Sequence, residues 1–474
     1  MVSIISNAFG FIYWLVLSLI GGSAILGIAS ATVGVFSLVT GLLSLGVGVG
    51  LQRHLGKFLS ANDVESARKY FWSSTFLLLT LSLLSGSVLM FLGLYGFSIG
   101  SIRPMMLIVA GFMVMLGFTI IFRAFLIASL RTDIQALSAT IGNLLKLCIG
   151  VSLVLLGFGW VGASVGYIFV NISMLFIGGY FVIKHLGFKL TFDVDAIKNV
   201  LRAGVVNWFP SIIVIIGQWL GVLAVFGYVG AVETGHYYVA FAISNFVTMI
   251  SLSPVRLLIP VLSGMSDGRK RFGWRVFRLS IAVMVPVAAF LATYPWLPLS
   301  LLGKEFVEAS SALTVLLLGA VPVSLSTSVI SLLYAYDRYL DILLIGLFQN
   351  VPRVVLYTIL TPKYGGLGSA YAFTIGSFIG LTYTAIASYK VGLIINLREL
   401  GIIVGIPAAL ALTCHYLGIP WFMALPAFVA TYLAYIRLGA VTRADLKELA
   451  TAFVSEEKVR KFYRRLRPLI DIVM

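Results

Sequence analysis

The sequence predicts an all-α polytopic membrane protein with about 14 transmembrane helices. Three observations lead to that prediction. First, 60% of the residues are hydrophobic and only 11% are charged, with a mean hydropathy of +1.06, and soluble domains do not combine these values. Second, the apolar residues form runs of about 20, the length that crosses the hydrocarbon core of a bilayer. Third, the basic residues fall on alternate connections between those runs.

The apolar runs divide the chain into six spans, a polar segment, six further spans and a final pair. A turn is expected at Gly34, followed by a glycine-dense second helix that reaches Arg53. The glycines from Gly46 onward are expected to loosen that helix, and Pro254 to kink the eighth, although both residue types are also ordinary in membrane helices. The predicted spans are residues 8–30, 35–52, 71–95, 104–130, 134–157, 160–183, 207–229, 236–262, 276–301, 309–335, 340–360, 366–389, 400–418 and 421–438.

The basic residues indicate how the chain is oriented. The formal net charge is +16, but these charges lie in connections between apolar spans, which argues for membrane topology and against nucleic-acid binding. Connections after odd-numbered helices contain only Arg103, Lys304 and Lys363. Because cytoplasmic loops carry the excess of Lys and Arg, both termini are predicted to be cytoplasmic, in a multi-pass protein of the cell (cytoplasmic) membrane.

The layout of residues 32–71 returns in residues 234–277, with Arg53 answering to Arg256. Since each repeat contains an even number of helices, the two halves are expected to be parallel-related six-helix lobes around a central cavity. The alternative is that any two polytopic segments resemble each other in Gly and Leu. The predicted regions are 1–184 (N-lobe), 185–206 (cytoplasmic amphipathic linker), 207–390 (C-lobe), 391–439 (an extra C-terminal helix pair) and 440–474 (a basic cytoplasmic tail).

The linker is expected to be a short interfacial helix that begins at a cap formed by Asp193 or Asp195. The same triplet, Asp-Val-Asp, also fits the metal-binding motif of glycosyltransferases. No nucleotide-binding fold accompanies it, so capping is the favoured interpretation. The basic tail is expected to bind anionic membrane lipids in preference to a substrate.

The ionisable residues within the spans are cations. None of the seventeen carboxylates lies in the middle of a predicted span, and an ion-coupled exporter of cationic compounds needs such a group. A buried cation without a carboxylate at its depth favours an anionic ligand, and the arginine fork suits phosphate. Snorkelling to the interface is the alternative for the cations near helix ends. The candidate substrate-binding residues are Arg53, Arg256, Lys146, Arg353 and Arg123. The four histidines and two cysteines have no metal-site spacing, so no metal or cofactor is predicted.

Three stretches then suggest a family: ARKYF (residues 67–71), FDVDAIKNVLRAGVVNWFP (192–210) and LLGKEFVEASSALTVLLLGA (301–320). The pattern resembles the polysaccharide transporter family of the multidrug/oligosaccharidyl-lipid/polysaccharide (MOP) flippase superfamily. The resemblance implies two six-helix lobes in a V with an extra helix pair, and cationic cavity residues on the second and eighth helices at Arg53 and Arg256. The first helix departs from the family because it has no Arg or Lys, and Lys146 or Arg353 would replace that charge.

The resulting expectation is a transporter and not an enzyme. It is a flippase that moves a lipid-(pyro)phosphate-linked oligosaccharide from the cytoplasmic to the outer leaflet by alternating access. Its partners would be that polyprenyl-(pyro)phosphate-linked glycan and membrane lipids. An ion-coupled multidrug exporter of the same superfamily is the alternative, disfavoured by the missing buried carboxylate. A membrane glycan polymerase or transferase is a third possibility, disfavoured by short outward loops. The sugar, the polyprenol, the coupling ion and the oligomeric state stay open.

Overall fold

The computed structural model describes residues 2–98, 100–189, 191–256, 268–393 and 395–442, and these residues form helices without a β-strand. Ten of the described helices are long and apolar enough to cross a membrane. Two of them contain 42 and 52 residues, so at 1.5 Å per residue they measure roughly 60 and 80 Å, about twice the thickness of the hydrocarbon core. Each of these two helices therefore contains two spans, and the all-α polytopic fold class is confirmed.

The two long helices divide at glycines with a left-handed backbone. Gly22 has a φ of 69° in the first, and Gly365 has a φ of 59° in the second. With both divided, and with the apolar helices Ala231–Arg256 and Trp421–Arg437 added, the described chain contains fourteen spanning segments. In chain order the helices are α1 Val2–Leu43, α2 Val47–Ser60, α3 Val64–Leu94, α4 Pro104–Met115, α5 Ile120–Ala128, α6 Thr132–Leu153, α7 Gly159–Gly166, α8 Ile168–Ser173, α9 Gly179–Leu186, α10 Val194–Tyr228, α11 Ala231–Arg256, α12 Arg269–Thr293, α13 Trp296–Ser300, α14 Ser310–Leu318, α15 Ala320–Ala335, α16 Tyr339–Lys390, α17 Leu397–Tyr416 and α18 Trp421–Arg437.

The turn expected at Gly34 was wrong. Gly34 lies inside α1, where an added Cβ would lie 3.2 Å from the Trp219 ring. This glycine therefore serves helix packing and not a turn. The chain breaks instead at Gly22 and again at Leu45 and Gly46, whose φ angles are 43° and 71°. The predicted division into spans 8–30 and 35–52 is corrected accordingly.

The helix that follows residue 193 was predicted in part. Asp193 is the N-cap, since its Oδ1 accepts a hydrogen bond from the Ala196 amide at 2.7 Å, and this confirms the capping interpretation. Lys69 Nζ lies 2.5 Å from Asp193 Oδ2, and its hydrogen bond holds the pKa of that carboxyl below its usual range. The separate linker helix is wrong, because α10 continues without interruption through Pro210 to Tyr228.

The chain divides into two compact units. Unit 1 comprises Met1–Ile243, Leu299–Ala312 and Gly346–Gly376, and unit 2 comprises Ser244–Pro298, Leu313–Ile345 and Ser377–Met474. The predicted lobes and region boundaries remain predictions, and most of the basic tail lies outside the described residues. The core of unit 1 includes Leu51, Leu55, Phe71, Phe122, Phe125 and Val182, and a core cluster of unit 2 contains Phe290, Tyr294, Cys414, Ala424 and Phe428.

Candidate functional site

Arg53 lies on the exposed face of α2. The opposite face of that helix buries Val47, Leu51 and Leu55 at intervals of four residues, the spacing of one helical stripe. Arg53 and Lys57, also four residues apart, are both exposed. Arg53 makes no hydrogen bond or ion pair with any residue that the structure describes. Its guanidinium is therefore available to a ligand.

Arg123 is a second exposed cation, on a helix that packs against α2 in unit 1. The neighbours of Arg123 on α5, including Phe122 and Ala124, are buried. The two helices approach closely, since a Cβ added at Gly48 would lie 3.5 Å from the Ile120 side chain. Within the described part of the chain, Arg123 has neither a hydrogen bond nor an ion pair. It belongs to the apolar span Pro104–Ala128, where an uncompensated charge is costly.

Lys146 is buried, with 3% of its surface exposed. Its Nζ lies 4.9 Å from the ring centroid of Tyr13 and 4.7 Å from that of Tyr167, both within cation–π range. Trp14 packs against the two tyrosines at centroid distances of 5.7 and 5.6 Å. Among described residues, no carboxylate lies within ion-pair distance of the ammonium group. The lysine is held by aromatic faces, and in this conformation a ligand does not reach it.

Arg353 is also 3% exposed. Its Nε donates to the Phe373 carbonyl at 3.1 Å, and its Nη1 donates to Asn350 Oδ1 at 2.9 Å. The guanidinium carbon lies 3.9 Å from the centroid of the Phe373 ring. The contacts of this guanidinium thus include a main-chain oxygen, an amide oxygen and an aromatic ring.

Arg256 is the last described residue of α11, and its side chain lies outside the part of the chain that the structure describes. The predicted equivalence of Arg53 and Arg256 therefore stays a prediction. The four candidate residues whose side chains the structure describes share no described contact partner. Arg53 and Arg123 lie exposed on adjoining helices, while Lys146 and Arg353 are each enclosed at separate positions in unit 1.

Sequence reasoning missed a group of polar residues in unit 1. Ser23 donates from its amide and its hydroxyl to the two carboxylate oxygens of Glu305, at 3.0 and 2.9 Å. Gly366 donates its amide to Glu233 Oε1 at 2.9 Å. Each carboxylate thus binds the first residue after a helix break, where an amide has lost its helical partner. The available signal was a carboxylate in a connection that follows an odd-numbered predicted span, but residues 282 positions apart in sequence cannot be paired from local patterns.

Comparison with known proteins identifies the family. A family model described as "Polysaccharide biosynthesis protein" matches residues 31–311, more than half of the chain. The chain belongs to this polysaccharide biosynthesis protein family. Among curated protein sequences, none matches it.

Solved structures agree on the fold of this polysaccharide biosynthesis protein. It is similar to the lipid II flippase MurJ in an inward closed conformation, with a TM-score of 0.70 and 17% identity over 94% of this chain and 98% of that one. An inward-facing multidrug resistance MATE transporter of the MOP superfamily matches with a TM-score of 0.62 and 16% identity, over 81% of this chain and 94% of that one. A Vibrio cholerae MATE transporter matches with a TM-score of 0.55 and 14% identity, over 82% of this chain and 97% of that one. The protein therefore has the fold of MOP-superfamily flippases and transporters.

Proposed function

We propose that this protein is a flippase that carries a lipid-(pyro)phosphate-linked oligosaccharide from the cytoplasmic to the outer leaflet by alternating access, and that it is not an enzyme. The observation that carries the proposal is the pair of exposed cations, Arg53 and Arg123, on adjoining helices of a membrane protein. Neither has a carboxylate partner among the described residues. A charge in an apolar span costs about 3 kcal/mol on insertion scales, and an anionic ligand that binds and leaves would offset part of that cost.

The chemistry of arginine narrows the ligand to a phosphate. Its planar guanidinium donates two parallel hydrogen bonds to one phosphate group, and a pyrophosphate offers two such groups. With both termini cytoplasmic, Arg53 and Arg256 lie at the cytoplasmic ends of their helices, where the headgroup enters, and Arg123 lies about two turns further along its own span. Lys146 and Arg353 would reach the phosphates only after a rearrangement exposes them.

The family and one structural neighbour support the same substrate class. The matching family is described by polysaccharide biosynthesis, and the neighbour whose structure covers 94% of this chain is named a lipid II flippase. A glycan unit assembled on a lipid phosphate at the cytoplasmic face has to cross the membrane together with its lipid. Such a substrate contains a glycan, a phosphate and an apolar tail.

The multidrug alternative has weaker support in this chain. Every carboxylate within the described ranges lies in a connection, in a first helical turn or in the 304–309 segment, and none is in the middle of a span. A cation exporter needs an acid at that depth to exchange drug for ion. The membrane polymerase or transferase alternative has no further support here.

The test is reconstitution of the full chain into liposomes that contain a fluorescent, short-chain polyprenyl-pyrophosphate oligosaccharide. Flipping is scored as the fraction of probe that an external quencher reaches over time. Charged hydrogen bonds contribute about 1.5–3 kcal/mol, so Arg53→Ala and Arg123→Ala should each slow flipping or weaken binding roughly 10- to 150-fold. Lys198→Ala is the control, because that lysine is exposed and its one ion pair among the described residues is a 3.8 Å approach to Asp195.

Two results would contradict the proposal. If both arginine variants flip the probe at the rate of the Lys198→Ala control, the phosphate role is wrong. If the wild-type protein leaves the probe in place but exports a cationic dye under a proton or sodium gradient, the multidrug alternative is correct.

A further inference from the structure

His236 is a buried histidine that makes no hydrogen bond with a described residue. It is 4% exposed, and neither ring nitrogen has a hydrogen-bond partner in the part of the chain that the structure describes. Its Nδ1 lies 3.7 Å from Glu233 Oε2 and 3.6 Å from Glu308 Oε2, while the Phe306 ring covers it at a centroid distance of 5.8 Å. These separations are too long for hydrogen bonds and short enough for ion pairs. A buried polar ring that faces two carboxylates is the arrangement to be explained.

The charges that face this ring can be stated for each element around it. Glu233 comes from its own helix, α11, and Glu308 comes from the 304–309 segment. Helix α1 contains no charged residue. At the break in α16, the Gly366 amide donates a hydrogen bond to Glu233. Lys304 and Lys363 are exposed and form no ion pair with a described residue. Glu305, on the same 304–309 segment, is bound by Ser23. The local charge is therefore set by three acids, two of which face the ring, and by the protonation state of one histidine.

Electrostatics favours this geometry when the ring is protonated. An imidazolium places one positive charge between the two carboxylates that face it, and the net charge of His236, Glu233 and Glu308 is then −1. With a neutral ring, the two carboxylates repel each other without a positive charge between them. The buried ring nitrogens also make no hydrogen bond with a described residue, and burying an unpaired polar group costs free energy. Histidine is also the side chain that ordinarily changes charge between about pH 5 and 8. Loss of this proton removes the attraction that holds Glu308 against α11.

The same short segment also holds α1. Glu305 accepts both hydrogen bonds from Ser23, and Glu308, three residues later, faces His236. Gly235, the residue before His236, packs directly on α1, since an added Cβ would lie 2.1 Å from the Ser23 carbonyl oxygen. The histidine, the 304–309 segment and the start of the second half of α1 are thus joined in one contact within unit 1.

We infer that His236, Glu233 and Glu308 form a proton-binding site, and that an occupied site keeps α1 and α11 packed together at this end of unit 1. The inference rests on the proposed function and its topology for one point, that this end faces the outside. On that topology, the proton is the ion that returns the flippase to the state in which its outer side is closed. A proton from an acidic exterior binds His236 and closes this contact, and its departure releases the contact.

The experiment measures amide hydrogen–deuterium exchange of the intact protein and needs no transport. The readouts are the amides of Ser23 and Gly366, which donate to Glu305 and Glu233, with each rate corrected for the intrinsic effect of pH. Between about pH 5.5 and about pH 8, where histidine loses its charge, protection at these amides should fall at least tenfold in the wild-type protein. In His236→Gln, protection should be independent of pH.

A second variant and a matched control separate the site from general effects. Glu308→Gln removes one of the two charges that face His236, at a side chain that is 76% accessible, and the fall in protection between the two pH values should be smaller than in the wild-type protein. His415→Gln changes a histidine in α17 of unit 2 and should behave as the wild-type protein does. If wild-type protection is constant across the range, or if His236→Gln follows the wild-type curve, the proton site is refuted.

The exchange experiment and the flipping assay fail independently. If the protein flips no lipid-linked glycan but shows His236-dependent protection, the proton site stands and the proposed function is wrong. If the protein flips the glycan but shows no such protection, the proposed function stands and the proton site is wrong.

Discussion

Gly27→Ala offers a direct test of the contact between α1 and α11. An added Cβ at Gly27 would lie 1.8 Å from the Ala231 carbonyl oxygen and 2.9 Å from the Gly235 amide nitrogen. Both are main-chain atoms and cannot move aside as a flexible side chain can. A separation below 3.0 Å forces a shift, so the two helices must part by roughly 1.2 Å, and overpacking of this kind costs about 1–3 kcal/mol.

That cost falls only on the conformation in which α1 and α11 are in contact. One to three kcal/mol corresponds to roughly a 5- to 150-fold change in the ratio of closed to open molecules. The measurement is a distance distribution between spin labels at Ile20→Cys and Val232→Cys, two exposed positions on these helices, with Cys148 and Cys414 replaced. We expect Gly27→Ala to add a longer-distance population that the wild-type protein lacks.

The control for this prediction is Gly405→Ala in α17. No atom lies within 4 Å of a Cβ added there, so the substitution should raise helix stability by about 1 kcal/mol and leave the spin-label distance unchanged. If the Gly27→Ala and Gly405→Ala variants give the same spin-label distance distribution, that result would falsify the view that α1 and α11 separate at this contact.

Three further predictions concern stability and charge. Lys146→Met should raise the thermal unfolding temperature in detergent, because it replaces a buried charge that has only aromatic partners with an apolar chain of similar size; a fall would mean that the cation stabilises the fold. Tyr357→Phe should cost about 1 kcal/mol, since its hydroxyl donates to a main-chain oxygen at 2.9 Å. Tyr237→Phe should cost less, because its buried hydroxyl makes no regular hydrogen bond with a described residue and interacts with the Tyr357 hydroxyl. Equal losses in the two variants would refute that reasoning. Asp193 has a lowered pKa, chiefly through Lys69, so its contribution to stability is present above the ordinary aspartate pKa and lost as the pH falls through the folded value. Amide exchange at the start of α10 should accelerate in that acidic range, and Asp193→Asn, which keeps a capping oxygen, should abolish the pH dependence.

The candidate site was predictable only in its residue types. Arg53 and Arg123 were identified because a cation in an apolar run is rare, and both are exposed as a ligand-binding role requires. Lys146 and Arg353 satisfied the same criterion but are enclosed by Tyr13, Tyr167 and Phe373. Neutral rings and carbonyl oxygens leave no charge signature in a sequence, so these partners could not be foreseen.

The histidine site was missed for a related reason. The four histidines were dismissed because they have no metal-ligand spacing, and His236 stands only three residues from Glu233. Its second carboxylate, Glu308, lies 72 residues further along the chain. The combination becomes a site only when the 304–309 segment folds back on α11.

The amino-acid sequence by itself determined the fold class, the number of spans and the cap at Asp193. These follow from short-range causes: a bilayer requires about 20 apolar residues per helix, and a cap satisfies amides within the next turn. Tertiary structure alone decided that the chain breaks at Gly22 and not at Gly34, because each glycine can serve either a turn or a close contact, and the opposing helix selects between them. It also decided which charges are enclosed and which remain exposed, since pairs such as Ser23 and Glu305 meet only when distant parts of the chain pack together.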